Sequence, residues 1–226
     1  MTRRIASILA ALAVVAPGLA AAQAPSLGTP RAPVPPYAQP QVDPHQRDSW
    51  YIGFGLGSGV GNVSGGGDTQ SFHDMMRAAG VDSPITVALQ FEVGATVRPD
   101  LLLGFDVRGV RSQGSTSQFG PNVDLGLQTT DYLAVATWFP AERGFFLRGG
   151  AGLAILSVDA NSGSGGRVSN SYTGVGALAG LGYAFWLGQH FNLTLNLDAS
   201  VQKYGGGNGE PESANFVDGY LGFTWY

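Results

Sequence analysis

Cysteine is absent from the chain, so disulfides, thiolate metal sites and a lipidated N-terminal cysteine are excluded. Lysine is nearly absent as well, with Lys203 the single example. Charged residues make up only 12% of the 226 positions, where soluble domains carry about 25%. Past the N-terminal stretch no run approaches 18 uninterrupted apolar residues, so any membrane contact must be made by strands rather than by a spanning helix. Basic residues are also short: 12 Lys and Arg face 16 Asp and Glu, a formal net charge of −4. Loss of Arg3 and Arg4 with an N-terminal leader makes that −6, and nucleic-acid binding is excluded as a working reading.

Glycine is what the chain has in excess, 35 residues in all, about twice the usual share. Residues 1–22 combine a basic start (Arg3, Arg4), an apolar run from Ile5 to Val15 and small residues at Ala20, Ala21 and Ala22. They are expected to be a cleaved signal peptide for general secretion. Residues 23–48 are proline-rich and polar and are expected to form an extended, flexible tether. Residues 49–226 then form the folded domain.

That domain is written in alternation. Trp50, Ile52, Phe54 and Leu56 share one face of a first strand. Ile85, Val87, Leu89, Phe91, Val93, Ala95 and Val97 share one face of a second, with Gln90 and Glu92 on the other. Pro99 and Asp100 mark a tight turn. The third strand sends Leu101, Leu103, Phe105 and Val107 outward, Asp106 and Arg108 inward, with a bulge expected near Gly109 and Val110. In the fourth, parity offers either Tyr132, Ala134, Ala136 and Trp138 or Leu133, Val135 and Thr137 as the outward set, and the first is favoured because it hides Asp131. The fifth exposes Phe145, Leu147, Ala151, Leu153 and Ile155 and turns Arg148 inward; the sixth runs from Tyr172 to Trp186. The seventh alternates Phe191 to Val201 against Asn192 to Gln202, with Asp198 inside.

The last strand, Asn215 to Tyr226, puts Val217, Leu221, Phe223 and Trp225 on one face and Asp218, Tyr220 and Tyr226 on the other. A chain ending in such a strand leaves a free edge unless its first strand returns to close a barrel. Leu221, Phe223, Trp225 and Tyr226 resemble the C-terminal insertion signal of bacterial outer-membrane β-barrels. The resemblance covers 49–226 and implies an all-β, up-and-down antiparallel barrel of eight strands. Links between strands alternate long and short without exception, the pattern of four long external loops and three short periplasmic turns. An even strand count puts both ends in the periplasm. Trp50, Tyr132, Trp138, Trp186, Tyr204 and Trp225 are expected to form interfacial girdles. A soluble lipocalin-like barrel would share the alternation, but its outer face would need many Lys and Glu.

Candidate site residues follow from parity. Glu92, Asp106, Arg108, Arg148, Asp198 and Asp218 all point inward and are expected to pair as a polar core, since an eight-stranded lumen is only wide enough to be filled by side chains. With a tight turn at Pro99, Glu92 is expected opposite Val107. Ser71 and Asp74 form a capping box, followed by Phe72, Met75 and Met76 on one face of a short loop helix, with Gly80 at its end. No catalytic constellation is apparent. His45 and His190 fall at the periplasmic end, and the spacing of His and Ser found in outer-membrane lipid A deacylases fails at His190, which Phe191 and Asn192 follow. No cofactor or metal is called for; the loop acids Asp159, Glu210 and Glu212 lack calcium-ligand spacing. The expected partners are outer-membrane lipids, lipopolysaccharide and the barrel-insertion machinery, with no nucleic acid and an unidentified surface partner, for a monomeric, non-enzymatic protein. A small transporter for apolar molecules and an outer-leaflet lipid-modifying enzyme are the alternatives.

Overall fold

The computed structural model describes residues 47, 49–117, 123–162, 166–205 and 210–226. The expected signal peptide, His45 and all of the tether but Arg47 lie outside them. The strands are β1 (Trp50–Gly65), β2 (Asp68–Ser71), β3 (Ile85–Arg98), β4 (Leu101–Thr116), β5 (Val123–Trp138), β6 (Phe145–Ser162), β7 (Gly166–Trp186), β8 (Phe191–Tyr204) and β9 (Pro211–Trp225), with one helix, α1 (Phe72–Ala78), after β2. β1 pairs antiparallel with β3, and from β3 onward each strand pairs antiparallel with the next. β9 returns to β1 over a ladder from Ile52↔Trp225 to Gly65↔Pro211, so eight strands close a ring and β2 extends it as a short hairpin on β1. Closure removes the free edges that an open sheet of these strands would present.

The alternating faces land as the residues dictate. Phe54, Leu56, Val60, Leu89, Phe105, Leu153, Leu195, Leu221 and Phe223 are exposed on the outside. Tyr51, Leu102, Leu133, Phe146 and Phe216 are buried inside. On β5 the outward set includes Tyr132 and Trp138, while Leu133 and Val135 join Asp131 in the interior. An apolar surface that encircles the whole barrel far exceeds what a protein presents to water. It is the lipid-facing belt of a membrane-spanning barrel, whose strands are hydrogen-bonded to their neighbours all the way round the ring.

Four expectations are corrected. The bulge lies in β3, not near Gly109 and Val110: Thr96 pairs with Leu102 and Arg98 with Leu101, so Val97 is the extra residue. That one-residue shift places Glu92 opposite Asp106 rather than Val107. Trp186 and Tyr204 do not join an outer girdle; both pack on buried clusters inside the barrel. Much of what was expected as long loop is strand. β6 and β7 stay paired out to Ser162 and Gly166, and β4 and β5 out to Thr116 and Val123. These extensions form a crown at the end opposite the short turns.

Candidate functional site

The lumen is filled in three layers. Towards the crown, α1 folds into the mouth. Ser71 caps it, its hydroxyl accepting from the Asp74 amide at 3.0 Å and donating to the Asp74 carboxylate at 2.7 Å, and Gly80 leaves it with φ 80°, a conformation glycine adopts without strain. The apolar face of α1 is thereby turned inward: Phe72 meets Phe216 edge-on at 4.8 Å, Met76 is buried, and Met75, Leu125 and Tyr172, each partly buried, pack against the same cluster. Val63, Val81, Ala88, Val110, Leu127, Ala154 and Leu156 complete this layer.

The middle layer is charged. Arg148 from β6 donates to Asp106 and to the Tyr220 hydroxyl, the latter at 2.7 Å, with Glu92 at 3.7 Å and Asp198 at 3.8 Å. Arg108 from β4 donates to Asp198 at 3.1 Å and to Asp218. The six inward charges therefore meet, and neutral side chains join them. Tyr220 donates to Asp198 at 2.6 Å and Tyr51 to Glu92 at 2.5 Å. Gln90 reaches Asp106 at 2.9 Å and Glu92 at 3.3 Å. Gln202 donates to Asp131 at 3.0 Å. Four carboxylates (Glu92, Asp106, Asp198, Asp218) thus share two guanidiniums, Asp131 rests on Gln202, and these phenol and amide donors add hydrogen bonds of the kind desolvated carboxylates require.

Glycines make the space. A side chain at Gly94 or Gly104 would strike the Tyr51 ring or hydroxyl, and one at Gly180 would strike the Asp198 carboxylate. Between this network and the short turns is a cavity of only about 30 Å³, lined by Glu92, Arg148, Thr194 and Asn196 among others. That is about one water molecule's share of liquid volume.

The third layer closes the turn end with aromatics: Tyr51, Phe139, Phe146, Trp186 and Tyr226. Arg47 seals it. Its guanidinium lies 3.6 Å above the centre of the Phe139 ring and donates to the Glu142 carbonyl at 2.7 Å and the Tyr226 hydroxyl at 3.3 Å. Tyr226, the residue left over by the outward parity of Leu221, Phe223 and Trp225, is thus an inner wedge at the turn end. No sequence signal marked Arg47, which sits within a stretch read as spacer. Nearby, Arg98 grips Asp100 with two hydrogen bonds, at 2.9 and 2.6 Å. That hydrogen-bonded guanidinium holds the Asp100 carboxyl below its ordinary range.

His73 lies on the exposed face of α1 and His190 in the turn after β7, at opposite ends. Neither approaches the network. Among the described residues no group of three or more His, Cys, Asp or Glu is arranged to hold a metal ion.

No family model matches the chain, and no curated protein matches it in sequence. Solved structures do match in shape. The crystal structure of Ail, the attachment invasion locus protein of Yersinia pestis, in complex with the heparin analogue sucrose octasulfate, is 14% identical, covers 79% of this chain and 99% of its own, and superposes with a TM-score of 0.52. Neisserial surface protein A is 14% identical over 78% of this chain and 96% of its own, with a TM-score of 0.46. OprG of Pseudomonas aeruginosa is 11% identical over 80% and 96%, with a TM-score of 0.41. The chain has the fold of the small eight-stranded outer-membrane β-barrels.

Proposed function

We propose that this chain is an integral protein of a bacterial outer membrane that works without catalysis, as a structural and surface-interaction module whose active part is its crown. The observation that carries this reading is the filled lumen. With α1 in one mouth, the Arg108 and Arg148 network across the middle and Arg47 among aromatics at the other end, the described residues fill the interior along its length. What is left to meet partners is the belt, which takes lipid, and the crown, which stands beyond it. The apolar-solute transporter is disfavoured by the same charges, since an apolar molecule would have to part several buried ion pairs.

In this reading residues 1–22 direct export and are removed, residues 23–48 tether the barrel on the periplasmic side, and both ends of the chain are periplasmic. An epitope inserted between Ser162 and Gly166 tests the orientation. It should be reached by antibody on intact cells, whereas an epitope placed within 23–46 should be reached only after the outer membrane is permeabilised. The reverse pattern would overturn the proposal.

A further inference from the structure

On the outside of the barrel the register sorts side chains into rows. One row contains Phe223, Phe54, Phe91 and Val107, and the next towards the crown contains Leu221, Leu56, Leu89, Gly109 and Thr130. The third contains Val87, Arg111 and Gln128. A groove of about 680 Å³ runs over them. Its floor is opened by Gly109, where a side chain would meet only the Thr129 carbonyl at 3.0 Å and the Thr130 hydroxyl at 3.7 Å.

Arg111 ends the apolar part of this groove. Beyond it begins a second one of about 660 Å³ that Gln113, Ser115, Asp124 and Asn161 make polar. Arg111 lines both, so it stands where the outer surface changes from hydrocarbon-like to water-like. Two glutamines orient it: Nε donates to Gln113 and Nη1 to Gln128, each at 3.1 Å. Among the described residues it has no ion pair, unlike outward Arg167, which has Asp159 at 3.5 Å. An outward guanidinium held by neutral acceptors keeps its charge and its Nη2 donors for an anion.

We infer that this groove binds a phosphorylated lipid, its acyl chain lying over Leu221, Leu56, Leu89 and Phe91 and its phosphate on Arg111. The inference rests on the membrane reading of the belt and adds a specific lipid to it. The ligand is an amphiphile because the two halves of the site differ in kind: the apolar rows recognise a chain, and the planar guanidinium recognises phosphate oxygens. A soluble phosphate would leave the apolar rows unused.

Native mass spectrometry of the refolded, detergent-solubilised barrel tests this with three probes: phosphatidic acid, diacylglycerol of the same chains, and inorganic phosphate. Phosphatidic acid should be retained about tenfold better than diacylglycerol, as one charge-assisted contact implies. Arg111→Gln should abolish that preference and Arg111→Lys should keep part of it. Gly109→Leu, which fills the notch and leaves Arg111 in place, should also lose the lipid. Retention that is the same in wild type, Arg111→Gln and Gly109→Leu would overturn the site, and so would displacement of phosphatidic acid by an equal concentration of inorganic phosphate. Failure of the wild-type barrel to insert into bilayers is a separate result and would count against the membrane reading itself.

Discussion

Glu92 and Asp106 face each other directly across the β3–β4 ladder, and the Arg148 guanidinium from β6 bonds to Asp106 while lying 3.7 Å from Glu92. Like charges directly opposite on a ladder destabilise it. Gln90, which donates to both acids, and Arg148 are what make this pairing tenable. The one cation also stands beside Asp198 at 3.8 Å, which Arg108 holds more closely at 3.1 Å, so Arg148 serves buried Asp106 and half-buried Glu92 above all.

Arg148→Met should therefore cost about 3–5 kcal/mol, the usual consequence of leaving buried charges without their partner. The denaturant midpoint of the protein refolded in bilayers measures it. Adding Asp106→Asn to that variant should restore part of the loss, because one of the stranded charges is removed. No recovery in the double variant would show that Arg148 acts by packing alone.

Gly180 tests the space the network needs. A methyl group there would strike the Asp198 carboxylate, which accepts from both Arg108 and Tyr220. Gly180→Ala should lower stability by about 1–3 kcal/mol, as overpacking does, whereas Gly188→Ala, with nothing near the added carbon, should be nearly neutral. Equal midpoints for the two would contradict the packed lumen.

How much of this could be read from the residues follows from what alternation does and does not encode. Parity assigned inside and outside on the barrel strands, because a period of two is fixed by the pleat; only on β5 did it leave two choices, and there the wish to hide Asp131 picked the one observed. The capping box at Ser71 and Asp74 likewise marked α1 by local chemistry alone. Register is less local: the extra residue at Val97 moved Glu92 from Val107 to Asp106, and nothing in the composition around Pro99 announces a bulge. Which inward groups meet across the lumen depends on strand tilt and stagger. Parity could thus collect Arg148 and Asp106 as candidates, while the roles of Tyr51, Gln90 and Tyr220 went unseen. Trp186 and Tyr204 were read as girdle aromatics from their position at strand ends, yet parity puts both on the inner face, and both pack there.

Strand β8 tests the faces most simply. Leu195 is 48% exposed and Asn196 buried, the latter donating to Thr194 at 2.9 Å. Leu195→Arg should cost about 2–4 kcal/mol if Leu195 meets lipid near the midplane. Asn196→Ala should cost about 1 kcal/mol, the worth of one ordinary hydrogen bond. The reverse order of midpoints would mean that the barrel is inside out.

Deleting Gly222–Tyr226 removes the rungs that join β9 to β1 at Ile52, Gly53, Phe54 and Gly55. It also removes the Tyr226 ring that Arg47 overlies. The truncated chain should be degraded or left in the periplasm, and cell fractionation measures this. Normal outer-membrane levels would refute the closing role of this strand.

Ion conductance across a planar bilayer tests the filled lumen most directly. Purified barrel, refolded and inserted, should show no steady conductance, because α1, the ion-pair layer and Arg47 each block the axis. A variant with Phe72→Ala, Met76→Ala and Arg47→Ala, which loosens both ends but leaves the middle, should also stay closed. Steady, single-level channels from the wild-type protein would contradict the account and return the chain to the transporters.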